Sequence, residues 1–173
     1  MQLNMFMLTV PLFRKTLTNL KAILNKAVIE SEEKDFEIGY LLNFRLYPDQ
    51  YPLHRQIRIA CIEAKNSVSA LTGIEAPKFK KNEADIDDLN RYIDTTLGYL
   101  ESLDPRDLED SAQKQIPITF KPGKFLTGYE FITEMILPNF YFHVTTAYSI
   151  LRHNGITLGK KDYLGELSLK DEE

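Results

Sequence analysis

The chain has 173 residues, 43% of them hydrophobic and 27% charged, with a formal net charge of -4. That length supports one domain with a sizeable core, and the mild acidity offers no broad basic field for nucleic acid. No apolar run approaches the roughly 20 residues that span a bilayer, so no membrane partner is expected.

The opening MQLNMFMLTVPLFRK lacks the basic n-region and small-residue cleavage site of a signal peptide, and a cytoplasmic location is the expectation. It runs directly into helical periodicity, in which Phe6, Val10, Phe13, Leu17, Leu20, Leu24 and Ala27 recur at threes and fours. Pro11 has no N–H for the Met7 carbonyl and is expected to open or kink this first helix. The charge runs Glu30 to Asp35 and Asp85 to Asp88 read as solvated faces.

From Asp35 to Pro52 the sequence DFEIGYLLNFRLYPDQYP suggests a short helix around Ile38 to Phe44, after which Pro48 and Pro52 impose extended or turn backbone. Arg45 and Asp49 flank Tyr47-Pro48, where an ion pair would staple the connection. A second long helix follows from about Leu53 to Thr72, with Ile57, Ala60, Ala64, Val68 and Leu71 on one stripe and Gly73 as its stop. Lone Cys61 on that helix cannot form an internal disulfide and reads as a small buried hydrophobe.

A third helix is expected from Asn82 as N-cap with Asp85 at N3, carrying Ile86, Leu89, Ile93, Leu97 and Leu100. Alternation between Gln115 and Thr127 around Lys121-Pro122-Gly123 predicts a small hairpin, its first strand confined to an edge by Pro117. The fourth helix opens on a Thr127/Glu130 capping box and closes at Asn154-Gly155, a left-handed C-terminal cap. His153 beside it reads as a capping residue that meets the terminal carbonyls. Residues 1–165 thus form a single bundle domain and 166–173 a flexible tail, with Tyr163 and Leu164 docking on the bundle.

The inward stripe of the fourth helix is Ile132, Met135 or Ile136, Asn139, His143, Ala147 and Ile150. Asn139 and His143 are four residues apart and lie on one face, one turn above the other, so two polar groups interrupt an apolar series. Pro138 should free the Glu134 carbonyl and bend the helix beside them. Two readings stay open: a hydrogen-bonded core pair, satisfied mutually or by Arg and Asp side chains of the second helix, and a ligand pocket in which Arg45, Arg55 or Gln56 faces His143 over an anionic or amide-bearing small molecule. Tyr141, Phe142 and Tyr148 are assigned to core and dimer surfaces.

The segments LLNFRLYPDQYPLHRQIRIACIEAK and PNFYFHVTTAYSILRHNGITLGKKDYLG, together with the helix layout, resemble a family of unknown function in the DinB/YfiT superfamily, and the resemblance covers nearly the whole chain. It implies an all-α, DinB/YfiT-like four-helix bundle with a small β-hairpin insertion before the last long helix. Wider members of the superfamily carry a metal-binding histidine on the second helix and an HxxxH pair on the last long one, and some act as thiol-dependent transferases or hydrolases. Here His143 falls on the second histidine of HxxxH, with Asn139 at the first position. The second-helix histidine falls on Arg58 or, with another gap placement, on Gln56, while His54 is one turn before Arg58.

The resemblance therefore implies a degenerate site. A catalytic zinc site normally has three protein ligands of His, Glu, Asp or Cys type, and only His143, with His54 as an outside candidate, qualifies for zinc or nickel. Three functions are expected from these residues: a small-molecule binder around Asn139 and His143, a metal- or thiol-dependent transferase or hydrolase with His143 as ligand or general base, and a homodimeric scaffold.

Overall fold

Residues 4–79 and 85–172 are described by a computed structural model. Helix α1 runs Met5–Glu33 and begins on Asn4, whose side-chain Oδ1 accepts from the Met7 N–H at 2.9 Å. Pro11 therefore neither opens nor ends the helix. It occupies the second turn, where the N–H it lacks would have closed on the Met7 carbonyl. Every position of the expected stripe from Val10 to Ala27 is buried, and Phe6 packs at its edge.

After α2 (Gly39–Leu42) the chain crosses to α3 (Leu53–Thr72), which ends where Gly73 adopts a φ of +81° and donates to the Ser69 carbonyl. Helix α4 (Ile86–Glu101) is capped by Asp85 itself, whose carboxylate accepts from the Asp88 N–H at 2.8 Å; Asn82 lies outside the described residues. Two 3-10 turns lead to the hairpin β1 (Gln115–Pro117) and β2 (Phe125–Thr127), antiparallel with Ile116 opposite Leu126. Gly123 supplies the positive φ of +78° at its tip.

The fourth long helix, α5, spans 128–153 and starts on the expected capping box, with Thr127 and Glu130 bonded both ways. Over Phe131–Ile136 it widens into a π-helix, and the Leu137 N–H reaches back five residues to the Ile132 carbonyl. The widening ends directly before Pro138, so a ring that cannot donate enters where the hydrogen-bond frame has already been stretched. At the far end Gly155 takes a φ of +89° and the Ile156 N–H closes on the Leu151 carbonyl at 3.1 Å. His153 is exposed and forms no hydrogen bond among the described residues, so Asn154 caps in its stead, its side-chain amide donating to the Ile150 carbonyl at 2.8 Å.

Helix α3 packs between α4 and α5, and α1 closes the remaining side against both. A short α6 (Lys160–Leu164) lies on α1, where the Asn19 amide donates to the Tyr163 carbonyl and the Tyr163 ring meets Tyr148. Phe13 and Phe140 meet edge-on at 4.8 Å in the centre, both fully buried, which locks α1 to α5. Cys61 is fully buried as expected, and burial pushes its thiol up to about 12.

Two acidic residues depart from the solvated faces expected of them. Glu30 is only 8% exposed; it accepts from the Thr157 N–H and hydroxyl at 2.7 Å each and from Lys34 at 2.6 Å, clasping the end of α1 to the turn after α5. Asp88 is buried, with Arg91 of its own helix at 2.7 Å. Charge density along a sequence does not register a carboxylate that turns inward to collect donors. No helix among the described residues is long and apolar enough to cross a membrane.

Candidate functional site

His143 is 7% exposed and projects from α5 towards α3, where Gln56, 1% exposed, receives it. Its Nδ1 lies 2.6 Å from Gln56 Oε1. The other end of that amide is also fixed, because Gln56 Nε2 donates to the Tyr51 carbonyl at 2.8 Å. A carbonyl cannot donate, so the amide must present its oxygen to the imidazole, and Nδ1 must carry the proton. The neutral ring then holds its lone pair on Nε2, which makes no hydrogen bond to the described residues. Burial holds the imidazole below its ordinary value, favouring this neutral form.

Asn139, one turn earlier on α5, sits beside Glu63, one heptad beyond Gln56 on α3. Burial raises the Glu63 carboxyl above its usual range, and the hydrogen bond to Asn139 pulls it down again. The two polar pairs, 56 with 143 and 63 with 139, run in opposite order along the two helices and so fix their antiparallel register. His143 is thus satisfied by α3, through a glutamine rather than the arginine or aspartate expected, and Asn139 has Glu63 beside it.

Above the pair opens a cavity of about 520 Å³ lined by Tyr47, Asp49, Gln50, Tyr51, Gln56, Asn139, Phe142 and His143. The α2–α3 connection forms one wall of it. That connection is not held by an Arg45–Asp49 ion pair, which is absent among the described residues. Its ties are the Leu53 N–H to the Phe44 carbonyl at 2.9 Å, His54 Nδ1 to the Leu42 carbonyl at 2.9 Å, and the Gln56 amide. The backbone carbonyls of Leu42 and Phe44 at the end of α2, and of Tyr51 before Pro52, take over the role expected of the charges.

The structure thus brings together Asn139, His143 and Gln56 and leaves the other candidates off the cavity wall. Arg45 is exposed. Arg55 stacks on the Tyr51 ring, its guanidinium 3.8 Å from the centroid. His54 is spent on Leu42. Arg58 also lies elsewhere on α3, so of the two alignments offered for the second-helix histidine it is Gln56 that faces His143. Phe142, assigned by the sequence reading to packing, is 55% exposed and forms the cavity rim. Sequence reasoning missed Gln50, Tyr47, Tyr51 and Glu63; only Glu63 had a signal, its seven-residue spacing from Gln56 on the same helix.

The donors do not fit zinc or nickel. One imidazole nitrogen is free, the Gln56 oxygen is engaged, Asn139 offers a hard carbonyl, and Glu63 is the partner of that amide. No group of three His, Cys, Asp or Glu side chains among the described residues could hold a metal ion.

The family model described as "Domain of unknown function (DUF1993)" matches residues 5–164. The crystal structure of a DinB family member from Shewanella denitrificans is 47% identical, with a TM-score of 0.92 over 96% of this chain and 95% of that one. No curated protein matches the chain. The match across almost all of the bundle, at that level of identity, makes this chain a member of the DUF1993 family, with a DinB-like fold.

Proposed function

We propose that this protein binds a small hydrogen-bond-donating molecule, an amine or alcohol with an apolar body, in the cavity over His143, and that its ancestral metal site is degenerate. The observation that carries this is the Tyr51 carbonyl–Gln56–His143 relay, which aims an unprotonated Nε2 at the cavity. The polar atoms around it are acceptors as well: Gln50 Oε1 is buried with no hydrogen-bond partner, and Asp49 contributes a carboxylate. Tyr47 and Phe142 supply apolar walls whose ring faces attract an ammonium, while the Tyr51 ring is stacked with Arg55. Neither Arg45 nor Arg55 is placed to neutralise an anion there, so the anionic ligand envisaged from sequence is set aside.

The test is a titration of the protein with benzylamine, benzyl alcohol and benzoate, followed by backbone amide NMR. Saturable shifts at residues 47–56 and 139–143 with the first two, lost in His143→Ala, are expected. Benzoate shifting residues 47–56 and 139–143 in preference to benzylamine would contradict the proposal.

A second reading uses the same relay. A neutral histidine held in one tautomer by a side-chain acceptor is the arrangement of a general base, which here would serve a metal-free hydrolase or transferase. Loss of a definable activity in His143→Ala with the fold retained supports it.

A further inference from the structure

Several cations among the described residues pair with an acid across or along the bundle: Arg14 with Glu101, Lys26 with Asp162, Lys34 with Glu30 and Arg91 with Asp88. One group departs from this. On α3, Arg58, Ile62, Lys65 and Ser69 follow one another at spacings of four, three and four, which places them on a single stripe. Across from them residues 75–79 form a second wall, and the space between is a cavity of about 410 Å³ that shares no lining residue with the His143 cavity.

Lys65 is 6% exposed, yet its ammonium has only the neutral Asn66 Oδ1 at 2.8 Å and the face of Phe79 at 4.7 Å. No carboxylate pairs with it among the described residues. Arg58 Nε is buried with no hydrogen-bond partner, and the guanidinium rests 6.0 Å from the Tyr92 ring centroid with no ion pair among the described residues. Glu75, the acid on the cavity wall, forms an exposed ion pair with Lys78 at 3.2 Å, and Asp88 meets Arg91 through one of its two oxygens. Taking a cation out of water without a counter-charge is unfavourable, and here a buried ammonium shares one cavity with a half-buried guanidinium whose Nε has no partner.

We infer that this cavity is a binding site for an organic oxyanion, a phosphate monoester or a carboxylate. The Arg58 fork and the Lys65 ammonium would take the oxyanion, assisted by the Ser69 hydroxyl, and Ile62 and Phe79 would cover the apolar part. The site stands independently of the function proposed for His143.

Phenyl phosphate, benzoate and inorganic phosphate, each compared with sodium chloride at equal ionic strength, test it by amide NMR of the full chain. Saturable shifts at residues 58–69 and 75–79 are expected for either aromatic anion, and which binds more tightly identifies the headgroup. Arg58→Gln and Lys65→Gln should each weaken binding about tenfold or more, whereas Lys65→Arg retains it and His143→Ala leaves it unchanged. Lys65→Gln should also raise the thermal midpoint in anion-free buffer, because it removes an unpaired buried charge, so a change in folding is read separately from a change in binding. Shifts no larger than those from chloride, or binding that survives in the Arg58→Gln/Lys65→Gln double variant, would overturn the inference.

Discussion

Replacing Gln56 by leucine tests the relay through its energetics. The substitution keeps side-chain volume and helix preference but removes the acceptor 2.6 Å from His143 Nδ1 and the donor to the Tyr51 carbonyl. The two losses are unequal. Tyr51 is exposed and water can reach its carbonyl, whereas Gln56 and His143 are 1% and 7% exposed, so the Nδ1 proton is stranded. An unsatisfied buried donor costs about 1–3 kcal/mol. For a domain of this size that corresponds to a fall of roughly 2–10 °C in thermal midpoint. Gln56→Glu should recover only part of the loss, since it keeps an acceptor for Nδ1 but sets its second oxygen against the Tyr51 carbonyl, acceptor to acceptor, in a buried site. Differential scanning calorimetry on the three proteins decides the matter. A Gln56→Leu midpoint equal to that of the unaltered chain would show that the glutamine contributes no net hydrogen bond and that His143 is oriented by something else.

His143 also gives a pH dependence. Its folded value lies below the ordinary 6.5, so the unfolded chain binds the proton more readily, and the stability it confers is full above about 6.5 and declines as pH falls into the window beneath. The part of that decline absent from His143→Gln, read by urea midpoints across the range, belongs to this ring. Glu30 acts lower: its carboxyl is held at about 2 against an ordinary 4.5 by Lys34 and Thr157, so its contribution is present above 4.5 and is lost as pH falls towards 2. Glu30→Gln should destabilise by about 1–3 kcal/mol at neutral pH and flatten the acid limb of the same curve. Gly128→Ala should destabilise by about 1–3 kcal/mol in equilibrium unfolding, because a Cβ there runs into the Ser111 backbone carbonyl, which cannot swing aside as a side chain could. An unchanged midpoint would mean that the 3-10 turn at Ser111 is loosely held.

The helices were legible because their information is local. Stripes at 3.6-residue spacing, the Thr127/Glu130 box, Gly73 and the Asn154-Gly155 pair each act within one or two turns, and all four helical rods carry the stripes expected of them, although α4 is capped by Asp85, the residue expected at N3. The site was half legible for the same reason. That Asn139 and His143 share a face follows from a spacing of four, but which α3 residue they meet depends on how two helices slide past each other, and one residue of slip separates Gln56 from its exposed neighbour Arg55. The walls contributed by Tyr47, Gln50 and Tyr51 are set by a proline-bent connection whose path comes from long-range backbone bonds such as Leu53 to Phe44. Pro11 was expected to open or kink its helix and Pro138 to bend its own; the first lies inside a long packed helix and the second behind a π-turn.

The account rests on an unprotonated Nε2 facing the cavity, and long-range proton–nitrogen NMR of the imidazole in the unaltered protein at neutral pH observes it directly. His143 should show a protonated Nδ1 and a lone-pair-bearing Nε2. A proton found on Nε2, or a charged ring, would contradict the relay and every function drawn from it.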